Sequence, residues 1–409
     1  MECRHCKTEV EHVFVDLINA PLSNELIRPD QLVRPLTFYP LKIYVCHNCF
    51  LVQTAEIKNA HDIFNSDYPY FSSYSKTWLL HAKRYVDMMM EKYQYNSDSL
   101  VIELASNDGY LLQHFLPYNV PVLGIEPAGN TAFVAIQKGI PTIIDFFTTE
   151  LARREIVEKK RKADLVIGNN VLAHVPDIND FVQGVKLSLK PGGTATFEFP
   201  HLIRLIEDSE FDTIYHEHFS YLSFTVVCNI FKAAELEVFD VEELPTHGGS
   251  LRIYAKHVED PRPISLNVHK MLETEERLGV KTLNYYVNFQ DKVNQIKYDF
   301  LDFLIGKKKE GKKVIGYGAA AKGNTFLNYC GIKGGDLISF VVDASPHKQN
   351  KYLPGSQIPI FGKEKIMEFK PDYIIILAWN LTEEIKEEYE HIREWGGKFV
   401  TFIPKLRII

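Results

Sequence analysis

No apolar run in this chain approaches the roughly 18 to 20 residues of a membrane-crossing helix, and its start, "MECRHCKTEV", lacks the basic and apolar stretches of a signal peptide. Both absences predict a cytoplasmic protein without membrane contact. A positive surplus is missing as well: 46 Lys and Arg against 53 Asp and Glu leave a formal charge of -7 and a pI near 6.1. A generally basic nucleic-acid surface is therefore not expected, and a small metabolite, met by a local positive pocket at most, is the better partner class. Cysteine is scarce, with six in 409 residues, yet four are crowded into two CxxC pairs. The length exceeds what one core usually organises, and 45% hydrophobic with 24% charged residues describes an ordinary globular composition, so two or three domains are expected.

Cys3, Cys6, Cys46 and Cys49 form two knuckles that can present four thiolates to one tetrahedral zinc ion, stapling a segment too small for much core. The competing reading, two redox dithiols, lacks the strand-to-helix setting of a thioredoxin-like site. Four cysteines leave no open coordination position, so the zinc is expected to be structural. Cys228 and Cys330 lie in apolar surroundings and read as packing residues. A zinc-binding domain is expected over 1–60, made mostly of loop and strand. A connecting segment over 61–94 follows, in which Trp78, Leu79, Ala82, Tyr85, Val86 and Met89 predict an amphipathic helix from about 75 to 92.

The next stretch, 95–255, reads as an α/β domain. In "DSLVIELASNDGYLLQHFL" an apolar strand runs into a polar turn and then a predicted helix, and the strand "VPVLGIEP" ends in Glu126, 23 residues after Glu103. Strands alternating with helices near 130–138 and 178–189 imply a mostly parallel sheet covered on both faces. The turn lacks a dinucleotide fingerprint: "ELASNDG" has one glycine where three are needed, and Glu103 and Asp108 would repel a pyrophosphate. A sulfonium cofactor bearing an amine suits those carboxylates better, with Glu126 placed for the ribose hydroxyls.

These features together resemble the class I (Rossmann-like) S-adenosylmethionine-dependent methyltransferases, and more narrowly the sugar C-methyltransferases acting on nucleotide-linked 4-keto-deoxyhexoses. The resemblance runs over nearly the whole chain, through the four cysteines, "ELASNDGYLL", "GIEP", "DFF", "NNVLAHV", "LKPGG", "YHEHFSYLS" and "GYGAAAKGNT". It implies S-adenosylmethionine and one structural Zn2+ as cofactors. The cofactor would be held by Glu103, Ala105, Asn107, Asp108, Glu126 and Pro127, with Asp145 and Phe146 near the adenine and Asn169 beside the methionine part. Asn107 and Asp108 depart from the commoner double-glycine loop, a variant typical of the sugar C-methylating group.

Methylating carbon requires that a C–H bond first give up its proton, and a neighbouring ketone stabilises the resulting carbanion as an enolate. In "YHEHF", residues 215–219, the resemblance makes His218 the base and has Tyr215 and Glu217 orient the sugar oxygens. The resemblance has His174 and one tyrosine of "YPYFSSYS" complete the polar wall, Tyr70 being taken first, with Tyr68 and Tyr74 flanking it as alternatives. His216 reads as structural, and a catalytic metal on His216, Glu217 and His218 is disfavoured by the spacing. Two helical stretches over 256–308 then lead to a second Rossmann-like α/β domain over 309–409. There Gly316, Gly318 and the helix start near Lys322 suit a phosphate, and the resemblance makes Lys322, Asn324 and Thr325 part of the sugar-nucleotide wall. The resemblance also implies a monomer that methylates C3 of the sugar. The competing readings are an O- or N-methyltransferase of another small metabolite and a non-catalytic zinc-stabilised nucleotide-binding module.

Overall fold

The computed structural model describes every residue except Asn59 and 65–67, with no side chain described for His61 and Asp62. The N-terminal sheet contains β1 (His12–Ala20), β2 (Tyr39–Val45) and β3 (Val52–Thr54), all antiparallel. Five strands of the middle sheet follow: β4 (Val101–Leu104), β5 (Val122–Ile125), β6 (Thr142–Ile143), β7 (Ala163–Asn169) and β8 (Leu189–Pro200). The next strand, β9 (Ser220–Tyr221), leaves that sheet and pairs with β3 as the fourth strand of the N-terminal one. Then β10 (Leu236–Leu244) and β11 (Ser250–His257) complete a seven-stranded middle sheet of order β10-β11-β8-β7-β4-β5-β6. Its β4 to β8 neighbours are parallel, while β10 and β11 are antiparallel. Parallel pairing places the C-terminal ends of β4, β5, β6 and β7 along one edge, where a doubly wound sheet binds its ligand.

The strand-to-helix expectation after β4 is corrected by the structure. Two single-turn 3-10 segments, Leu112–His114 and Leu116–Tyr118, stand where a regular helix was predicted. Pro117 brings no backbone N–H to continue the ladder, and Asn119 turns left-handed at φ 54°. The loop before it is unusual too, since Ala105, Asn107 and Gly109 all have positive φ, at 54°, 49° and 74°. At Gly109 an added Cβ would lie 2.4 Å from Ile140 Cδ1, so both conformation and space call for glycine.

The predicted amphipathic helix forms over Lys76–Tyr93, capped by the Ser75 hydroxyl and burying Trp78, Ala82, Tyr85, Val86 and Met89. The long helix Phe289–Lys309 buries Phe289, Val293, Ile296, Phe300 and Leu304 on one stripe. That stripe joins Phe14 and Ile43 of the N-terminal sheet to Phe326 and Phe402 of the C-terminal unit in one cluster. A different cluster carries Cys3, Cys46 and Leu51 into Ile102, Val166 and Phe197 of the middle sheet. The N-terminal domain is thus packed against both α/β units. The third sheet contains β12 (Val314–Tyr317), β13 (Val341–Val342), β14 (Ile360–Phe361), β15 (Tyr373–Ile376), β16 (Lys398–Thr401) and β17 (Arg407–Ile408) in order β14-β13-β12-β15-β16-β17. All its pairs are parallel except the last. Among the described residues, no helix is long and apolar enough to cross a membrane.

The four N-terminal cysteines converge, with every Sγ within 4.8 Å of the others. Cys3 and Cys49 are 3.5 Å apart and Cys6 and Cys46 3.6 Å, close to the spacing of about 3.8 Å set by tetrahedral Zn–S bonds. Gln53 of β3 donates to Cys3 Sγ at 3.2 Å and accepts from the Arg4 amide at 2.9 Å. The donor set fits a closed structural zinc, and its hydrogen bonds lead directly into the strand that holds β9. Metal analysis should find about one zinc per chain. Stripping the metal should lower amide protection over Val52–Thr54 and Ser220–Tyr221 together, while Val314–Tyr317 stays protected. Loss confined to residues before Ala60 would contradict this coupling.

Candidate active site

The sheet edge supplies a cradle of acids. Glu126, at the end of β5, accepts from the Asn107 amide at 2.9 Å and from the Ala128 amide at 2.8 Å. Burial pushes its carboxyl up to about 7, against the pull of those two amides. Glu103 of β4 is 1% exposed, and neither of its oxygens completes a hydrogen bond among the described residues. Burial holds its carboxyl well above the ordinary range, and Asp108 and Glu126 add to the effect. Both amide atoms of Asn169, at the end of β7, are also unpartnered, as is one oxygen of Asp108. Buried polar groups seldom lack partners, so this cluster fits a ligand with several polar groups, and a cationic one would restore charge to Glu103.

The flanking segment 70–75 leans on the same loop. Asn107 accepts from the Ser72 amide at 2.9 Å and donates to the Tyr70 carbonyl at 3.1 Å, while Asp108 accepts from the Ser73 amide at 3.2 Å. Ala105 supplies the left-handed turn into the loop, and Pro127 follows Glu126 half-buried. Beyond β6, Asp145 accepts from the Phe146 amide at 2.8 Å and pairs with Arg154 at 3.2 Å. The Phe146 ring lies 6.5 Å from that of Phe64.

The "YHEHF" segment lies between a 3-10 turn at Phe211–Thr213 and β9. His218 Nδ1 is 2.7 Å from the Thr213 carbonyl, which fixes the proton on Nδ1 and leaves Nε2 as an acceptor. His174 Nδ1 meets the Glu217 carbonyl at 2.9 Å in the same way. The two rings are 4.6 Å apart at 66°, and the Tyr215 ring is 4.0 Å from that of His218. Burial, then the neighbouring His174, hold His218 well below the ordinary histidine range, and burial lowers His174 to about 4. Both imidazoles are therefore neutral near pH 7. Glu217 is 2% exposed, and burial raises its carboxyl to about 7.

His216 points elsewhere, 3.1 Å from the Pro40 carbonyl and edge-on to Tyr39. Tyr70 is 45% exposed and meets the cofactor loop through its backbone. Tyr68, two residues earlier, bonds its hydroxyl to the Glu217 carboxylate. Sequence reasoning also missed Asn24, whose amide lies 2.8 Å from both Glu217 oxygens. Nothing in the spacing of residues 193 apart signals that contact.

From the C-terminal unit, the helix Ala321–Tyr329 brings Lys322 over the Trp379 ring at 4.6 Å and onto Asn380 at 3.1 Å. Trp379 donates to Asp212 at 2.7 Å. Burial raises Asp212 to about 6 and Glu210 to about 8, Lys322 opposing in each case, while burial lowers Lys322. Asn324 and Thr325 are 0% and 1% exposed, and Thr325 sits 3.4 Å from Ser23. Gly316 lies inside β12, whereas Gly318 makes the turn at φ 92°. His247, also unremarked in the sequence, is left-handed at φ 55°, and Asn170 donates to its Nε2 at 3.1 Å. His347 stacks on Phe71 at 5.3 Å and meets the Tyr74 hydroxyl at 3.0 Å, joining the C-terminal unit to the segment that braces the cofactor loop.

Three family descriptions match the chain: a zinc binding domain over residues 3–64, a methyltransferase domain over 82–241 and a C-methyltransferase C-terminal domain over 245–404. The chain is 34% identical over 408 residues to the C-methyltransferase NovU of Streptomyces niveus, covering 100% of this chain and 96% of that protein. Among solved structures, magnesium protoporphyrin IX methyltransferase of Synechocystis is similar at 13% identity and a TM-score of 0.34, over 44% of this chain and 79% of that one. An S-adenosylmethionine-dependent methyltransferase of Clostridium acetobutylicum is similar at 11% and 0.33, over 43% and 90%.

The cofactor is S-adenosylmethionine, and the acidic cradle makes its binding pH-dependent. If Glu126 is the residue that holds the ribose hydroxyls, they would donate best to its ionised form, and burial has raised that carboxyl to about 7. Binding through that carboxylate would release a proton, so Glu126 should contribute up to about a tenfold fall in affinity per pH unit below 7, in addition to any proton released by Glu103. Calorimetry across pH 5.5 to 8.5 tests this. In Glu126→Gln the affinity should be weaker by about 1.5 to 3 kcal/mol at high pH, with that pH slope lost; an unchanged slope would remove the assigned role.

Proposed function

Since this chain belongs to the S-adenosylmethionine-dependent C-methyltransferase family, we propose that its acceptor is a nucleotide-linked 4-keto-deoxysugar, methylated at the carbon alpha to the ketone, C3, after His218 removes that carbon's proton. The observation that carries the reading is the state of His218: neutral, its Nδ1 fixed by Thr213, and its Nε2 left as the basic atom. A ketone acidifies the adjacent C–H bond enough for such a base, whereas methylating a hydroxyl needs no enolate.

When bound, S-adenosylmethionine supplies an electrophilic methyl group on sulfonium. His218 Nε2 takes the proton from C3, and the electron pair of that C–H bond passes into the enolate. The Thr213 carbonyl disperses the charge that develops on the imidazole, through the Nδ1 hydrogen bond. Tyr215, Glu217 and His174 line the same space and orient the ketone, with Tyr68 as well as Tyr70 available from the 68–75 segment. The enolate carbon would then be the nucleophile toward that methyl group, with the cofactor's thioether as leaving group and the C3 proton held on His218. Holding base, carbon and methyl about 3 Å apart in turn makes proton removal and displacement geometrically compatible. Lys322 and the turn at Gly318 are the groups we assign to the nucleotide's phosphates, with Asn324 and Thr325 supporting that wall. This reading divides the chain into zinc-binding (1–60), connecting (61–94), cofactor-binding (95–255), linking helical (256–308) and sugar-nucleotide (309–409) parts, acting as a monomer in the cytoplasm.

A screen of nucleotide-linked 4-keto sugars, read by product mass and carbon connectivity, should yield C–CH3. O–CH3 or N–CH3 product would overturn the acceptor assignment. His218→Asn should slow the chemical step by roughly 100- to 10,000-fold while both ligands still bind, and acceptor deuterated at C3 should then retain its label. Normal chemical turnover in that variant would exclude His218 as the base.

A further inference from the structure

The N-terminal domain reaches into the site with more than its sheet. After β1, the chain forms an arm whose Ile27 exchanges backbone hydrogen bonds with Tyr352 at 2.9 and 2.8 Å. Ser23, 3% exposed, packs its hydroxyl 3.4 Å from that of Thr325. Between these anchors Asn24 turns toward the middle domain, its Nδ2 lying 2.8 Å from Oε1 and 2.8 Å from Oε2 of Glu217. One amide group shared by both oxygens restrains the carboxylate's distance and the direction it faces. The other titratable groups facing that carboxylate are the hydroxyls of Tyr68 and Tyr215, and among the described residues no cation pairs with it. The Glu217 backbone carbonyl in turn holds His174 Nδ1 at 2.9 Å.

We propose that Asn24 is a positioning residue for the methyl transfer: carried in by the metal-held domain, its amide sets the orientation of the Glu217 carboxylate against the acceptor's carbonyl. This rests on the C-methylation reading for the step that Glu217 serves, though not for the contact itself. An N–H donor favours the ionised carboxylate, whereas burial opposes it, and together they put Glu217 near neutrality. Removing the donor leaves burial unopposed on that side.

The test follows the Glu217 carboxyl by infrared difference titration in the zinc-loaded, cofactor-bound protein without acceptor, with Glu217→Gln identifying the band. In Asn24→Ala the titration should move up by about one pH unit, in Asn24→Asp further because a like charge faces it, and in Asn24→Ser by less than in Asn24→Ala. With an acceptor, the same limb of the kcat/KM profile should move in the same direction and kcat fall by about ten- to a hundredfold. Zinc content and S-adenosylmethionine affinity should stay within about twofold, since neither site contains Asn24. Should Asn24→Ala fold poorly, as read by lost zinc, the Asn24→Ser and Asn24→Asp comparison decides. An unchanged Glu217 titration in folded variants overturns the proposal. O- or N-methyl product would instead overturn the acceptor reading, leaving the titration to judge Asn24 by itself.

Discussion

A two-residue antiparallel ladder, Val52 opposite Tyr221 and Gln53 opposite Ser220, joins the metal-held domain to the segment that carries "YHEHF". So short a ladder is marginal by itself, and its environment makes up the difference. Gln53 ties one strand to Cys3. Arg4, beside that cysteine, stacks over Phe219 at 4.8 Å and donates to the carbonyls of Thr54 and Pro176 at 2.9 and 2.8 Å. Phe219 then hands its amide to the Ala173 carbonyl at 2.7 Å, next to His174. Few hydrogen bonds separate the thiolates from either imidazole. The small domain therefore supplies part of the frame on which the site is built, and that gives a structural zinc a consequence for chemistry it does not itself perform.

What could be read in the sequence was encoded over short spans. The CxxC pairs, Glu126 at a strand end and the crowded "YHEHF" each stand out within a few residues, though the roles expected of "YHEHF" come from the family resemblance and not from residue type alone. The amphipathic stripe of Lys76–Tyr93 was legible for the same reason, because a period of 3.6 is a local property. Asn24, Tyr68 and His247 were not. Asn24 meets Glu217 across 193 positions, through a loop whose composition is ordinary, and its role exists only once β9 has joined the N-terminal sheet. The helix expected after β4 does not form, since Pro117 and left-handed Asn119 break the segment before a full helix is made. Among the tyrosines of 68–74, alternation along an irregular segment carries no register, so choosing between Tyr68 and Tyr70 needed the fold.

The junction with the C-terminal unit shows why the acids and the lysine must be considered together. Lys322 is half-buried among Asp212, Glu210 and the Trp379 face, where each charge leans on its neighbours. Burial raises Glu210 above neutrality and leaves it largely protonated at pH 7, while Asp212, raised to about 6, still carries most of its charge beside the lysine. In the proposed reaction a phosphate entering this space would stabilise the lysine as an ammonium and favour protonation of the neighbouring acids. The anion would therefore meet less repulsion than a count of carboxylates suggests.

The same desolvation acts with opposite sign on the two kinds of group at the centre of the site. It raises Glu103, Glu126 and Glu217 and lowers His174, His218 and His247, because in each case it disfavours the charged form. Without ligand, the cavity thus carries less charge than its many titratable residues suggest, with Glu126 and Glu217 titrating near pH 7. A sulfonium cofactor changes that selectively: its positive charge favours ionised acids along the sheet edge while disfavouring protonation of the histidines beyond them. His218 consequently stays unprotonated when the methyl donor is in place, the one moment at which the proposed reaction needs an imidazole able to accept a proton. Burial makes the base weak in the thermodynamic sense, yet the cost falls on the imidazolium, and the Thr213 carbonyl on Nδ1 is already placed to reduce it.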